Sequence, residues 1–466
     1  MDLPILILPF ALAVCLLAPV VYRKTGLIGG CLATLLAGSC LGYDFFHVSI
    51  VTLDRALLGG LCVLYFLQRN FHGLKPHRTT MSDLVLLGFI VSLLGITFAH
   101  DWKWDGARPV AVLLFFYLLP FAMYWLSSRC ELTENSFRMI LGFFVGFGIY
   151  LTLTGVCEVL GIYGAVFPRY IANSDTVEFL GRARGPFLNP IGNGMYLTAS
   201  LICCCLSWNY VHKVHRPALI ALAGLFCVGA ICTLTRSVWL GVGVALIGMA
   251  TLAVPSRYRI RLLVAAAVFG AAGLAVAGKS LVAFKRDKNL TAAETAESAK
   301  LRPILAAFAY EMFQDHPVTG VGLSQYKRYN IDYLTERSAD LPLEKAKGYV
   351  QHNVFLSLLV ETGLVGLVLF CLVLVIWAVN AWQLWHATHL PLWQRQAGLF
   401  CLALLGAYLP NGMFHEMSVI PMQNMLLFFV GGLNRNLFEN CLKKPETVPH
   451  ARRADERRAL PGLPAS

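Results

Sequence analysis

Four arginines sit in polar, glycine- or proline-marked breaks between apolar runs: Arg182 and Arg184 in GRARGPFLNPIGNG, Arg236 in LTRSVWLG and Arg302 in LRPILAAF. A guanidinium at a membrane boundary costs free energy unless something anionic or carbonyl-rich meets it, and its planar fork matches phosphate oxygens two at a time. A single such arginine commonly snorkels to headgroups or caps a helix. Four on one face, with no carboxylate evident beside them, predict a diphosphate site. His352, in GYVQHNVF, is the nearby group that titrates around neutral pH, suited to act as a general base or to orient an attacking hydroxyl. Its rivals are His316, in the turn-like QDHPVTG, and His415, beside Glu416. Glu361 follows His352 on a helix that enters an apolar run, and at 1.5 Å per residue it lies roughly 13 Å deeper, where a carboxylate needs a partner or water. Gly363 and Gly366 leave room for another helix to approach closely.

The same face shows no Asp-x-Asp, no HExxH and no cluster with metal-ligand spacing, so the reaction is expected to need no metal. Walker-type and GxGxxG loops are absent as well, and the expected cofactor complement is none. An activated donor working without nucleotide must bring its own leaving group, and a lipid-linked diphosphate does.

These residues are positioned by a membrane bundle. Of 466 residues, 57% are hydrophobic and 14% charged, with a mean hydropathy of +0.63, which excludes a soluble globular domain. Apolar runs long enough to span begin near Leu3, Gly26, Ile50, Leu84, Pro109, Ile140, Ile191, Ala218, Val238, Leu262, Asn353, Gly398 and Met422. The expected fold is an all-α polytopic membrane protein with twelve or thirteen transmembrane helices and one large helical loop on the outer face. The net charge of +12 comes from Lys and Arg in short loops (Arg69/Lys75/Arg78, Lys213/Arg216, Arg257/Arg259/Arg261, and the tail from Lys443), which places those loops in the cytoplasm and argues against a nucleic-acid partner. The opposite face carries the four arginines and the three histidines.

Four segments follow. Residues 1–278 hold N-terminal helices with an outer loop near 163–190, 279–352 an outer loop with amphipathic helices, 353–440 the last spans, and 441–466 a basic tail. The 279–352 loop balances 11 Lys and Arg against 9 Asp and Glu. Within it Leu301, Ile304, Leu305, Phe308 and Met312 recur at helical spacing, with Pro303 placed for a first turn and Arg302 opening the helix. The 14 cysteines show no disulfide framework and no CxxC pattern, and Leu3–Tyr22 reads as a retained span.

HNVFLSLLVETGLVGL resembles the signature of the O-antigen ligase and O-antigen polymerase superfamily, in which a His-Asn or His-Ser pair begins a helix and Glu-Thr-Gly follows. RPILAAFAYEMFQDHPVTGVGLSQY, LTRSVWLG and GRARGPFLNPIGNGMYL resemble its upstream elements, so the likeness runs from about Gly181 to Gly366. The resemblance implies a periplasm-facing glycosyltransferase of the bacterial inner membrane that uses an undecaprenyl-diphosphate-linked O-antigen donor without metal or ATP. Carried over by motif, Arg236 and Arg302 contact the diphosphate, one of Arg182 and Arg184 joins them, and His352 is catalytic, with His316, Glu361 and His415 as supporting candidates. The expected activity is that of a ligase, transferring polysaccharide to a sugar hydroxyl of lipid A core, with inversion. A polymerase, a protein O-oligosaccharyltransferase or, more distantly, a lipid-linked glycan transporter are the alternatives.

Overall fold

The computed structural model describes residues 25–41, 47–48, 51–72, 78–103, 106, 108–173, 179–255, 257–265, 267–268, 292–335, 351–417 and 420–442. The expected span at Leu3, most of that at Leu262, residues 279–291 and 336–350 of the outer loop, and the tail beyond 442 lie outside them. The fold is helical, as composition predicts. A two-residue antiparallel ladder, His47–Val48 with Val51–Thr52, precedes the second helix.

In chain order the helices are α1 Thr25–Leu41, α2 Leu53–His72, α3 Met81–Ala99, α4 Pro109–Ser127, α5 Glu134–Leu160, α6 Pro190–Leu206, α7 Arg216–Cys232, α8 Arg236–Ala253, α9 Ala292–Asp315, α10 Tyr326–Thr335, α11 Val354–His386, α12 Leu392–Phe414 and α13 Pro421–Leu437. Eight of these described helices, α3 to α8, α11 and α12, are long and apolar enough to cross a membrane, in part with short flanking turns. The expected count of twelve or thirteen also drew on α1 and α13, each 17 residues, and on α2, which carries charge at both ends.

Local chemistry sets the boundaries. Thr80 and Asp83 form a capping box at α3, Asn189 caps α6 through Ile191 and Gly192 N–H, and α5 ends on Gly161 in the left-handed region. The six residues Leu113–Leu118 form a π segment inside α4. α6 is the axis of the bundle, with 89% of its apolar window buried, and packs against α5, α7, α8 and α12. α11 packs on α12 and α3, and α13 on α4.

Polar contacts group the helix ends. At one end Arg435 of α13 pairs with Asp83 of α3 (Nη2 to Oδ2, 2.6 Å) and Asn436 donates to Cys130 O, which brings together ends that the charge pattern assigns to one face. At the other end lie the starts of α2, α4, α6, α8, α11 and α13.

The α9–α10 lobe sits on that second end. Leu305, Phe308, Ala309 and Met312 are buried, the predicted face, against Val321, Tyr326, Tyr333 and Val360. The helix begins ten residues earlier than Pro303 suggested, so Pro303 and Arg302 lie in its interior. The preceding AAETAESAK is rich in strong helix formers, which carry the helix upstream past the proline's first-turn preference.

Candidate active site

Residues 352 and 353 make the entry to α11. Asn353 is extended (φ −153°, ψ 119°) and its Oδ1 accepts from the backbone N–H of Phe355 (2.9 Å) and Leu356 (3.0 Å), the first-turn donors that lack a helical partner. His352 takes φ +52°, a left-handed backbone uncommon for a residue with a side chain. The half-buried imidazole is thereby held beside the positive end of a helix.

Eleven residues past His352, α11 is broken. Gly363 sits at φ +65° and ψ −166°, and the segment Pro317 to Gly322 runs into the gap. Leu364 N–H donates to Pro317 O (2.9 Å), Val321 N–H to Val360 O (2.9 Å) and Gly322 N–H to Glu361 O (3.1 Å). A Cβ on Gly363 would lie 2.1 Å from Val318 O, and one on Gly320 2.4 Å from Val360 O, so both glycines are there to let two backbones meet. The close approach expected of a neighbouring helix is made instead by this loop.

Glu361 anchors it. Its Oε2 accepts from Ser324 N–H at 2.8 Å, at a serine whose φ is +60°. The 23 residues from 364 to 386 reach about 34 Å and span the roughly 30 Å hydrocarbon layer by themselves. The exposed apolar stripe Leu364, Val368, Leu372, Val375 and Val379 starts at the break, and no exposed large hydrophobic residue precedes it on α11. Glu361 therefore stands on the lobe side of the break, before the exposed apolar stripe begins.

The arginines divide. Arg182, 3% exposed, donates from Nε to Thr233 O (3.2 Å) and from Nη2 to Thr235 Oγ1 (2.6 Å), while Ala183 N–H donates to Cys232 O (2.9 Å). It clamps the turn whose next residue is Arg236, the first of α8. Arg184 is fully buried and, contrary to the expectation of arginines without a carboxylate, faces Glu158 (Nε to Oε2, 3.8 Å) and donates to Ile171 O (2.7 Å). Glu158 also accepts from the backbone N–H of Arg184 (3.3 Å) and Gly185 (2.9 Å), which shapes the loop. Burial lowers the Arg184 pKa from its ordinary value and Glu158 opposes that shift.

Packing brings the remaining basic groups toward one place. Gly412 near the end of α12 lies against Phe355 at the start of α11, and Gly241 of α8 lies against Asn411. Arg236, five residues above Gly241, and His415, the C-cap of α12, thus share the His352 end. Arg302 lies in the interior of α9, whose exit loop inserts at the break in α11. His316 is exposed at the turn that follows α9, its carbonyl accepting Gly320 N–H (3.1 Å) and its ring 6.4 Å from that of Tyr329.

Glu416 is the residue that sequence reasoning underweighted, noting it only as His415's neighbour. Its Oε1 accepts from Ser357 Oγ at 2.8 Å, one turn into α11, and burial raises its pKa, opposed by Ser357 and by Lys327. No spacing signal links positions 59 apart, so only the fold joins them.

Comparison with known proteins covers this region. No curated protein matches the chain. A family model described as O-antigen ligase matches residues 220–371, a span that holds Arg236, Arg302, His316, His352 and Glu361 and stops short of Arg182, Arg184 and His415. From α7 to the membrane piece of α11, the chain thus carries the domain of the O-antigen ligase and polymerase superfamily.

Proposed function

We propose that the protein is an O-antigen ligase, which transfers a glycan from undecaprenyl diphosphate to a sugar hydroxyl of lipid A core on the periplasmic face of the inner membrane. The observation that supports the reading is that the matched residues 220–371 carry Arg236 at the start of α8 and His352 just before α11, at the same end of the bundle, with Arg302 on α9 of the lobe above it. His352 takes the proton of the acceptor hydroxyl, whose oxygen attacks the anomeric carbon as the bond to the diphosphate breaks. The diphosphate departs as an anion between Arg236 and Arg302. Charge stabilisation of this kind is worth about 3–4 kcal/mol per well-placed donor. Direct displacement inverts the anomeric centre.

In this reading Arg182 and Glu361 are positioning residues: the first fixes the turn that presents Arg236, the second fixes the loop beneath the α9–α10 lobe. The test is transfer by purified protein from lipid-linked diphosphate glycan to lipid A core, with EDTA present and no nucleotide. Wild type moves glycan onto lipid A core and His352→Ala does not. Growth of donor chains with lipid A core untouched makes the protein a polymerase, and retained anomeric configuration sinks the single displacement.

A further inference from the structure

The first 180 residues hold no motif of the family, yet α2 and α4 wall a cavity of about 580 Å³ under the GRARG loop. That is within the roughly 300–1,000 Å³ of ligand sites. Asp54 and Arg55 open α2, and Arg184 and Asn189 face them from the loop before α6. Phe115 and Phe116 belong to the π segment of α4, six and seven residues from its first residue and so about 10 Å further in. The cavity is polar where helices begin and apolar in its depth, closed by Met422 and Met425 of α13.

Two details define the ligand. The Arg55 guanidinium lies 3.6 Å over the centre of the Phe115 ring, a cation–π seat that fixes one face and orients the N–H edge. Asp54 is 5% exposed, and its buried Oδ1 makes no hydrogen bond among the described residues. A buried carboxylate oxygen calls for a donor, which a hydroxyl or amide supplies and a phosphate does not. The guanidinium suits phosphate oxygens. A ligand satisfying both carries an anionic phosphate and a hydroxyl or amide on an apolar stem.

We propose that this cavity seats the junction of a lipid-linked sugar phosphate, with Arg55 on the phosphate, Asp54 on the first sugar and the phenylalanines around the start of the lipid chain. The assignment rests on the donor chemistry of the proposed function and adds two binding residues from a part of the chain that the family match does not cover.

Binding of three probes to the purified full-length protein in nanodiscs tests it: undecaprenyl phosphate, undecaprenyl diphosphate carrying one N-acetylhexosamine, and phosphatidylglycerol. Arg55→Ala should weaken both isoprenoid probes about tenfold or more, with Arg55→Lys between it and wild type. Asp54→Asn, nearly isosteric, should weaken the sugar-bearing probe alone. Unchanged affinity in Arg55→Ala overturns the proposal, and so does phosphatidylglycerol competing on equal terms, which would make the cavity a seat for bulk lipid. Arg55-dependent binding without transfer to lipid A core refutes the ligase reading and leaves this site standing. Wild-type transfer by Arg55→Ala does the reverse.

Discussion

Gly363→Ala should unlatch the outer loop from α11. The native φ of +65° with ψ −166° belongs to glycine, and a side chain there costs about 1–3 kcal/mol in backbone strain. The added methyl would also lie 2.1 Å from Val318 O and 2.3 Å from Val318 C, both backbone atoms that cannot rotate away. Relief requires separating the segments and losing the bonds Leu364 N–H to Pro317 O (2.9 Å) and Val365 N–H to Val318 O (3.4 Å), each worth about 0.5–1.5 kcal/mol. The total is about 2–6 kcal/mol, so amides of Val321, Gly322 and Leu364 should exchange with deuterium at least about 30-fold faster than in wild type. Gly366→Ala is the control. Its methyl meets the Thr362 side chain (Oγ1, Cβ and Cγ2) one turn back in α11, so it strains α11 and the Thr362 bond to Leu358 O (2.6 Å) without pushing on the inserted loop. Wild-type protection at those three amides in Gly363→Ala would refute the inserted-loop geometry.

Four further outcomes follow from the same contacts. Glu158→Ala leaves Arg184 buried without its carboxylate and two loop N–H groups without their acceptor, and should lower unfolding free energy by about 3–5 kcal/mol in a thermal or denaturant series. Arg182→Lys keeps the charge but not the two-point grip on Thr233 and Thr235, so kcat for transfer should fall while the lipid-diphosphate KM moves little; a change in KM alone would contradict the clamp. Burial raises the Glu416 pKa above its ordinary 4.5, so the stability it contributes is complete below that value and is lost as pH rises through the native pKa. Glu416→Gln should flatten that loss in pH-dependent melting, and equal pH profiles for the two proteins would sink the assignment. His316→Ala, at an exposed turn, should transfer glycan at the wild-type rate in the same assay that silences His352→Ala.

The sequence exposed the helical membrane bundle, because apolar length and basic loops need no long-range information. It also revealed the buried face of α9 from Leu305, Phe308 and Met312. Three things were out of its reach. The start of α9 was misplaced because Pro303 suits a first turn, whereas the strong helix formers upstream carry the helix back to Ala292. The break beside Glu361 was hidden because hydrophobicity runs unbroken through Gly363, and only the left-handed glycine shows where the outer loop enters α11. The partners of Arg182 and Arg184 lie 51 and 26 residues away, in segments whose own composition is ordinary for a helix end.

That last failure explains why the doubled arginine of GRARG resisted assignment. Two guanidiniums separated by one alanine share a face in an extended chain, but here Ala183 is tied to Cys232 O, with Arg182 on the α7–α8 side and Arg184 on the α5 side. Arg182 grips Thr233 and Thr235 and so shapes the turn that leads to Arg236. Arg184 lies at the wall of the cavity that also holds Arg55. An anionic group drawn to this end of the bundle therefore meets cations from two sides of one loop, Arg236 on one and Arg55 with Arg184 on the other. Glu158, accepting from the backbone N–H of both Arg184 and Gly185, holds the cavity side of that loop in place.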